Sequence, residues 1–173
     1  MISSCESVSL IFGNLPQFLE NTGYKDPSSY TLGPHTFIFR RPLWDRIGSE
    51  RRLNVQFSNF MRIVRDNREN FVDIFPFEEK AKSVPIGADD VLFIDIAGGM
   101  GHRVQQFRDR HPNIVGRAIL QDLPHVLPSE TFMLGIFDEL RKHRIEIMGH
   151  NMLDPQPVKG ARYYFFSAIL HGW

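Results

Sequence analysis

The run VLFIDI at residues 91–96 passes without a break into Ala97-Gly98-Gly99-Met100-Gly101 and then into a stretch of helical periodicity. An apolar run without polar alternation is what a strand buried on both faces requires. A glycine turn at its end lets the chain bend sharply and begin a helix whose free amides point outward. Strand, turn and helix in this order constrain the fold strongly, because parallel strands must be joined by crossovers. The pattern recurs downstream. Residues 117–121, 145–148 and 161–170 read as further strands, with residues 102–111 and 129–143 as helical crossovers, each expected to be right-handed. The expected class is α/β, with about four parallel strands, flanking helices and both faces of the sheet covered. In the last run, ARYYFFSAIL, the second half reads equally well as the start of a helix.

The first 88 residues have a different character and are expected to form a helical region, leaving residues 89–173 as the sheet domain. Asn14 and Pro16 are suited to cap and open a short helix ending near Gly23, followed by a turn-rich loop over residues 24–34. The spacing of Leu53, Phe57, Phe60, Met61 and Val64 predicts a helix over 49–70, with Arg51, Arg52, Arg62 and Arg65 off the apolar stripe. Phe71, Ile74, Phe75 and Phe77 around Pro76 imply a bend into another short helix before a polar linker at 87–90. Phe57, Phe60 and Met61 could line a flat apolar pocket or pack the helix onto a neighbour, and packing is the commoner role.

Charge narrows the choice of partner. Lysine plus arginine and aspartate plus glutamate each number 20, so no net field attracts nucleic acid or an anionic membrane, and a small molecule is the expected partner. Cys5 is the only cysteine, which rules out a disulfide within the chain and suits a reducing cytoplasm. The N-terminal stretch has no basic region before its short apolar run, and Asn14 and Pro16 interrupt that run. Neither a signal peptide nor a membrane span is expected. His102, His111, His125, His143 and His150 show no ligand spacing on a shared face, and no metal is expected.

The chemistry resides in the glycine turn and in Asp122, which follows at the end of the second strand about 20 residues on. Backbone amides at Gly98, Gly99 and Gly101 can approach a polar ligand, and a carboxylate at Asp122 can accept from both hydroxyls of a ribose. Taken singly, each reads as a tight turn or a surface aspartate. Together, between two strands, they point to a nucleotide-type cofactor. Spacing leaves NAD, FAD and S-adenosylmethionine open.

The segments FIDIAGGMGH, AILQDLP, MGHNMLDPQPVKGARYYFFSAILHGW and FSNFMRIVRDNRENFVDIFPFEEK together resemble fungal and plant-type class I O-methyltransferases of small aromatic and polyketide secondary metabolites. The resemblance implies a partial Rossmann-like methyltransferase sheet and S-adenosyl-L-methionine as cofactor. It places Gly98, Gly99 and Gly101 at the methionine end, Asp122 at the ribose, Asn151 and Met152 at the adenine, His171 as general base and Met61 at the substrate. A phenol has a pKa near ~10 and an imidazole near ~6.5, so a histidine can take the proton that the substrate hydroxyl must lose. The resulting oxygen would attack the methyl group in line, helped chiefly by being held near it.

The sequence also departs from that pattern. Ala97 stands for the first glycine of the turn, Asn151 for an aspartate, Ser167 for a basic residue and Gly172 for an aspartate. Family members are longer at both ends. The homodimerising winged-helix region, the later strands and the acidic residues that orient the histidine are not in the sequence. Two alternatives follow: a catalytically inactive methyltransferase-like remnant, or a cyclase or dehydratase of secondary metabolism that keeps the fold. An NAD-dependent oxidoreductase is disfavoured because the similarity runs well beyond the turn. The run at 161–170 is expected at a sheet edge, where unpaired ladder groups promote self-association.

Overall fold

The computed structural model describes residues 2–66 and 70–170. Among these the chain forms two compact units that divide at Arg65 and Asp66. The change in composition near residue 88 therefore falls inside the second unit. The reason is packing: Val72 and Phe77 are buried in one cluster with Phe93 and Phe107, and a ring nitrogen of His111 meets the carbonyl of Val72 at 3.3 Å.

The first unit is helical: α1 (Ile2–Gly13), α2 (Leu15–Thr22), α3 (Pro34–Phe39), α4 (Leu43–Ser49) and α5 (Arg51–Asp66), with a 3-10 turn at Tyr30–Leu32. Pro16 sits in the first turn of α2, and Gly23 closes that helix at φ 60°, a conformation that costs glycine little. Asn14 does not cap α2 as expected. Its Nδ2 instead donates to the carbonyl of Leu10 at 2.8 Å, which closes the preceding helix. The long helix expected over 49–70 is α5, which starts two residues later because the backbone of Glu50 is extended at φ −108°, ψ 94°. Phe18 is buried against the edge of Phe37, and Trp44 meets Phe57 with ring centroids 5.5 Å apart. Met61 is half-buried on α5, whereas Phe60 is 50% exposed and takes no part in a packed stripe.

The second unit holds α6 (Phe71–Ile74), α7 (Phe77–Ser83), β1 (Val91–Ile96), α8 (His102–Arg110), β2 (Arg117–Asp122), α9 (Leu134–Lys142), β3 (Ile145–Gly149) and β4 (Tyr163–Phe166). The four strands pair in parallel in the order β3-β2-β1-β4. β1 is central and its last five residues are all buried, as the unbroken apolar run demands. On one face, Phe93 stacks on Phe107 of α8 with centroids 4.5 Å apart, and Leu140 of α9 joins the same cluster. The other face carries Ile94, Ile96 and Ile119. Among the described residues of this unit it is covered by the loop after β3, through Met152, Val158 and Ala161.

Two elements are shorter than their sequence pattern. The crossover expected from residue 129 starts at Leu134, because the Ser129 hydroxyl accepts the Phe132 amide at 3.1 Å and Met133 is left-handed at φ 59°. β4 stops at Phe166, and Ala168 at φ 54° leaves the extended conformation. The chain thus moves outward from β1 to β2 and β3, and then returns to the other side of β1 with β4. Such a reversal of strand order opens a crevice at the carboxyl ends of the strands, the common place for a ligand in a sheet of this kind.

Candidate functional site

The glycine turn lies at that crevice. Ala97, Gly99 and Gly101 all have positive φ, at 54°, 61° and 78°. Gly99 and Gly101 meet this demand at little cost, while Ala97 pays for its methyl group. Gly98 is needed for a different reason: a Cβ there would lie 2.6 Å from the Asp95 carboxylate and from Leu120 Cδ1. At Gly99 a Cβ would meet nothing within 4 Å, so the outer side of the turn is open to a ligand. Beneath the turn, Asp95 is fully buried and its Oδ2 accepts the Val104 amide of α8 at 3.3 Å.

Asp122, at the end of β2, reaches the same turn. Its Oδ2 accepts the Gly99 amide at 2.8 Å, and its Oδ1 accepts its neighbour's amide, Leu123, at 2.7 Å. The backbone of β2 strengthens this convergence. The Gly98 amide donates to the carbonyl of Gln121 at 3.1 Å, and the His150 amide donates to the carbonyl of Asp122 at 2.9 Å. The end of β2 therefore holds the glycine turn on one side and the loop after β3 on the other. Burial raises the Asp122 pKa above its ordinary value of 3.8, opposed by the amides of Gly99 and Leu123 and by the charge of His125.

A carboxylate offers about four lone-pair sites. The two amides use two, which leaves an acceptor on each side for a diol such as a ribose. The site fits an adenosyl group: a glycine turn with no side chain on its outer face, and a carboxylate with spare acceptors beside it.

The other candidate residues are distributed as follows. Asn151 and Met152 lie in the loop that the His150 amide fastens to β2. The Asn151 Oδ1 accepts the Leu153 amide at 3.2 Å, forming a local turn. Met152 packs toward Ile94, Ile96 and Ile119 and lines a cavity of about 330 Å³ with Ile96, Gln156, Lys159, Tyr164 and Phe166. Met61 belongs to the first unit. His171 lies outside the described residues. Sequence reasoning missed Asp95 and the pair Gln121 and Gln156. An acid within an otherwise apolar strand was a visible signal for Asp95, and glutamine within the strand run AILQD was one for Gln121.

No family model matches the chain. A search of curated proteins finds the O-methyltransferase ucdC of Aspergillus ustus, 34% identical over 159 residues, covering 91% of this chain. Over nearly its whole length the chain is similar to fungal proteins named as O-methyltransferases. It spans 38% of the length of that relative. Among solved structures, LepI in complex with S-adenosylmethionine is similar, with a TM-score of 0.70 and 33% identity over 92% of this chain and 39% of LepI. A protein described as a pericyclic reaction enzyme is also similar, with a TM-score of 0.64 and 30% identity over 89% of this chain and 38% of its own. This similarity agrees with the α/β class read from the strand and turn pattern.

Proposed function

We propose that this chain is the cofactor-binding part of an S-adenosylmethionine-dependent O-methyltransferase acting on a hydroxyl of a small aromatic or polyketide-like metabolite. The observation that carries the reading is the 2.8 Å bond from the Gly99 amide to Asp122, which joins the two halves of an adenosyl site. In this reading the turn formed by Gly98, Gly99 and Gly101 borders the methionine end, Asp122 takes the ribose hydroxyls, and Asn151 and Met152 border the adenine. The bound cofactor supplies an electrophilic methyl group. The chain's own task is to hold the adenosyl portion still, so that the methyl group and the acceptor oxygen meet in line. His171 is proposed to accept the hydroxyl proton, since its imidazole is the basic group of the right strength at neutral pH. Met61 is proposed to contact the substrate. The balanced charge favours a small, uncharged acceptor, and the single cysteine suits a reducing cytoplasm. Among the described residues no helix is long and apolar enough to cross a membrane.

The test is incubation with S-adenosylmethionine and a panel of hydroxylated aromatics, followed by mass spectrometry. Products heavier by one methylene unit, lost in His171→Ala, are the expected result. A second reading is favoured by the similarity to a pericyclic reaction enzyme together with Ser167 and Gly172 at family positions of charge: cofactor binding with rearrangement of the substrate. In that case the product mass is unchanged. Binding without any turnover would instead mark an inactive remnant.

A further inference from the structure

Gln121 is fully buried in β2, where a polar side chain must find partners or weaken the fold. It finds them in Gln156. The Gln121 Nε2 donates to the Gln156 Oε1 at 2.9 Å, and the Gln156 Nε2 donates back to the Gln121 Oε1 at 2.8 Å. The Gln156 Oε1 also accepts the Val158 amide at 3.1 Å, and the Gln121 Nε2 contacts the sulfur of Met148 on β3 at 3.2 Å. These bonds tie the far end of the loop after β3 onto the strand that carries Asp122. The near end is already tied there by the His150 amide on the carbonyl of Asp122. Between the two ties lie Asn151 and Met152. The loop is thus clamped at both ends to the strand that presents the ribose-binding carboxylate.

We propose that Gln121 and Gln156 form a positioning pair that fixes the adenine-side wall of the site relative to Asp122, and so sets the preference for adenine over other purines. This rests on the adenosyl reading given above. Neither side chain needs to touch the ligand. The pair acts through the loop, because a reciprocal amide pair fixes both distance and orientation and is costly to leave half-made.

The experiment measures binding of S-adenosylhomocysteine and S-inosylhomocysteine to the full chain by calorimetry. The second ligand differs in bearing a carbonyl where adenine has its amino group. Gln156→Leu leaves the buried Gln121 amide unpaired, so S-adenosylhomocysteine should bind about tenfold more weakly. S-inosylhomocysteine should lose much less, and the preference for adenine should collapse. If that variant does not fold, the double variant Gln121→Leu with Gln156→Leu removes both side-chain amides, leaving only the Val158 backbone amide without this acceptor, and should show the same loss of preference. A general loss of stability would weaken both ligands equally, so an unchanged preference in the folded variant overturns the positioning role alone. A wild-type chain that binds neither ligand overturns the adenosyl reading and this proposal with it.

Discussion

Replacing Gly98 by alanine should damage this protein more than replacing Gly99, although Gly99 is the residue with positive φ. At Gly98 the added Cβ would sit 2.6 Å from three atoms, two in the buried Asp95 carboxylate and one in Leu120. None of these is the free end of an exposed side chain, as both residues are fully buried. Overpacking of this kind costs about 1–3 kcal/mol. Moving Asp95 would also strain its bond to the Val104 amide, adding about 1 kcal/mol. The expected total is about 2–4 kcal/mol. At Gly99 the new methyl group meets nothing within 4 Å. The left-handed backbone costs about 1–2 kcal/mol, offset by about 0.4–1 kcal/mol from the lower entropy of the unfolded alanine chain. With a difference near 2 kcal/mol, the melting temperature of Gly98→Ala should lie about 4–8 °C below that of Gly99→Ala. Thermal melts followed by circular dichroism measure this gap. Equal melting temperatures, or a lower one for Gly99→Ala, would refute the assignment of Gly98 to close packing.

Three further outcomes are expected. Ala97→Gly removes a methyl group from a left-handed position and should stabilise the chain by about 0.5–1 kcal/mol in urea unfolding. Burial holds the Asp122 pKa above 3.8, so the stability this group contributes is complete below its ordinary pKa and is lost as pH rises through the raised one. In the proposed reading its carboxylate is also the ribose acceptor, so cofactor affinity should fall as the solution is acidified through that raised value, sooner than an ordinary aspartate would dictate. Calorimetry across pH checks this, and Asp122→Asn should bind weakly with a flat acidic limb. β4 lies at the sheet edge with Tyr164 and Phe166 about 40% exposed. The chain should therefore self-associate in sedimentation velocity, and Phe166→Lys should shift it toward monomer.

Much of the second unit was legible because its strands are buried and carry unmistakable apolar runs. β1, β2 and β3 fall within a residue of their sequence limits, since unbroken apolar runs such as LFI suit strands buried on both faces. The misplacements share a cause: side-chain hydrogen bonding or backbone handedness that composition does not reveal. Asn14 looked like a cap for α2, but its amide had a nearer acceptor in Leu10. Ser129 and Met133 delay α9 by a local turn. Residues 66–88 went to the wrong half of the chain because helical periodicity identifies an apolar face and not its destination, which here is the Phe93 cluster. The nearness of Gly99 and Asp122 was expected from the motif pair, as two contacts to one ligand, but the direct bond between them was not. The second tie from Gln156 to Gln121 was not, because nothing local marks two glutamines 35 residues apart as partners.

The most direct test of the account is a titration of the labelled chain with S-adenosylhomocysteine followed by amide nuclear magnetic resonance. The amides of Gly99 and Leu123 both donate to Asp122, and the account predicts that both shift together with one dissociation constant. Movement of one without the other, or of neither, would contradict a single adenosyl site between the glycine turn and the end of β2.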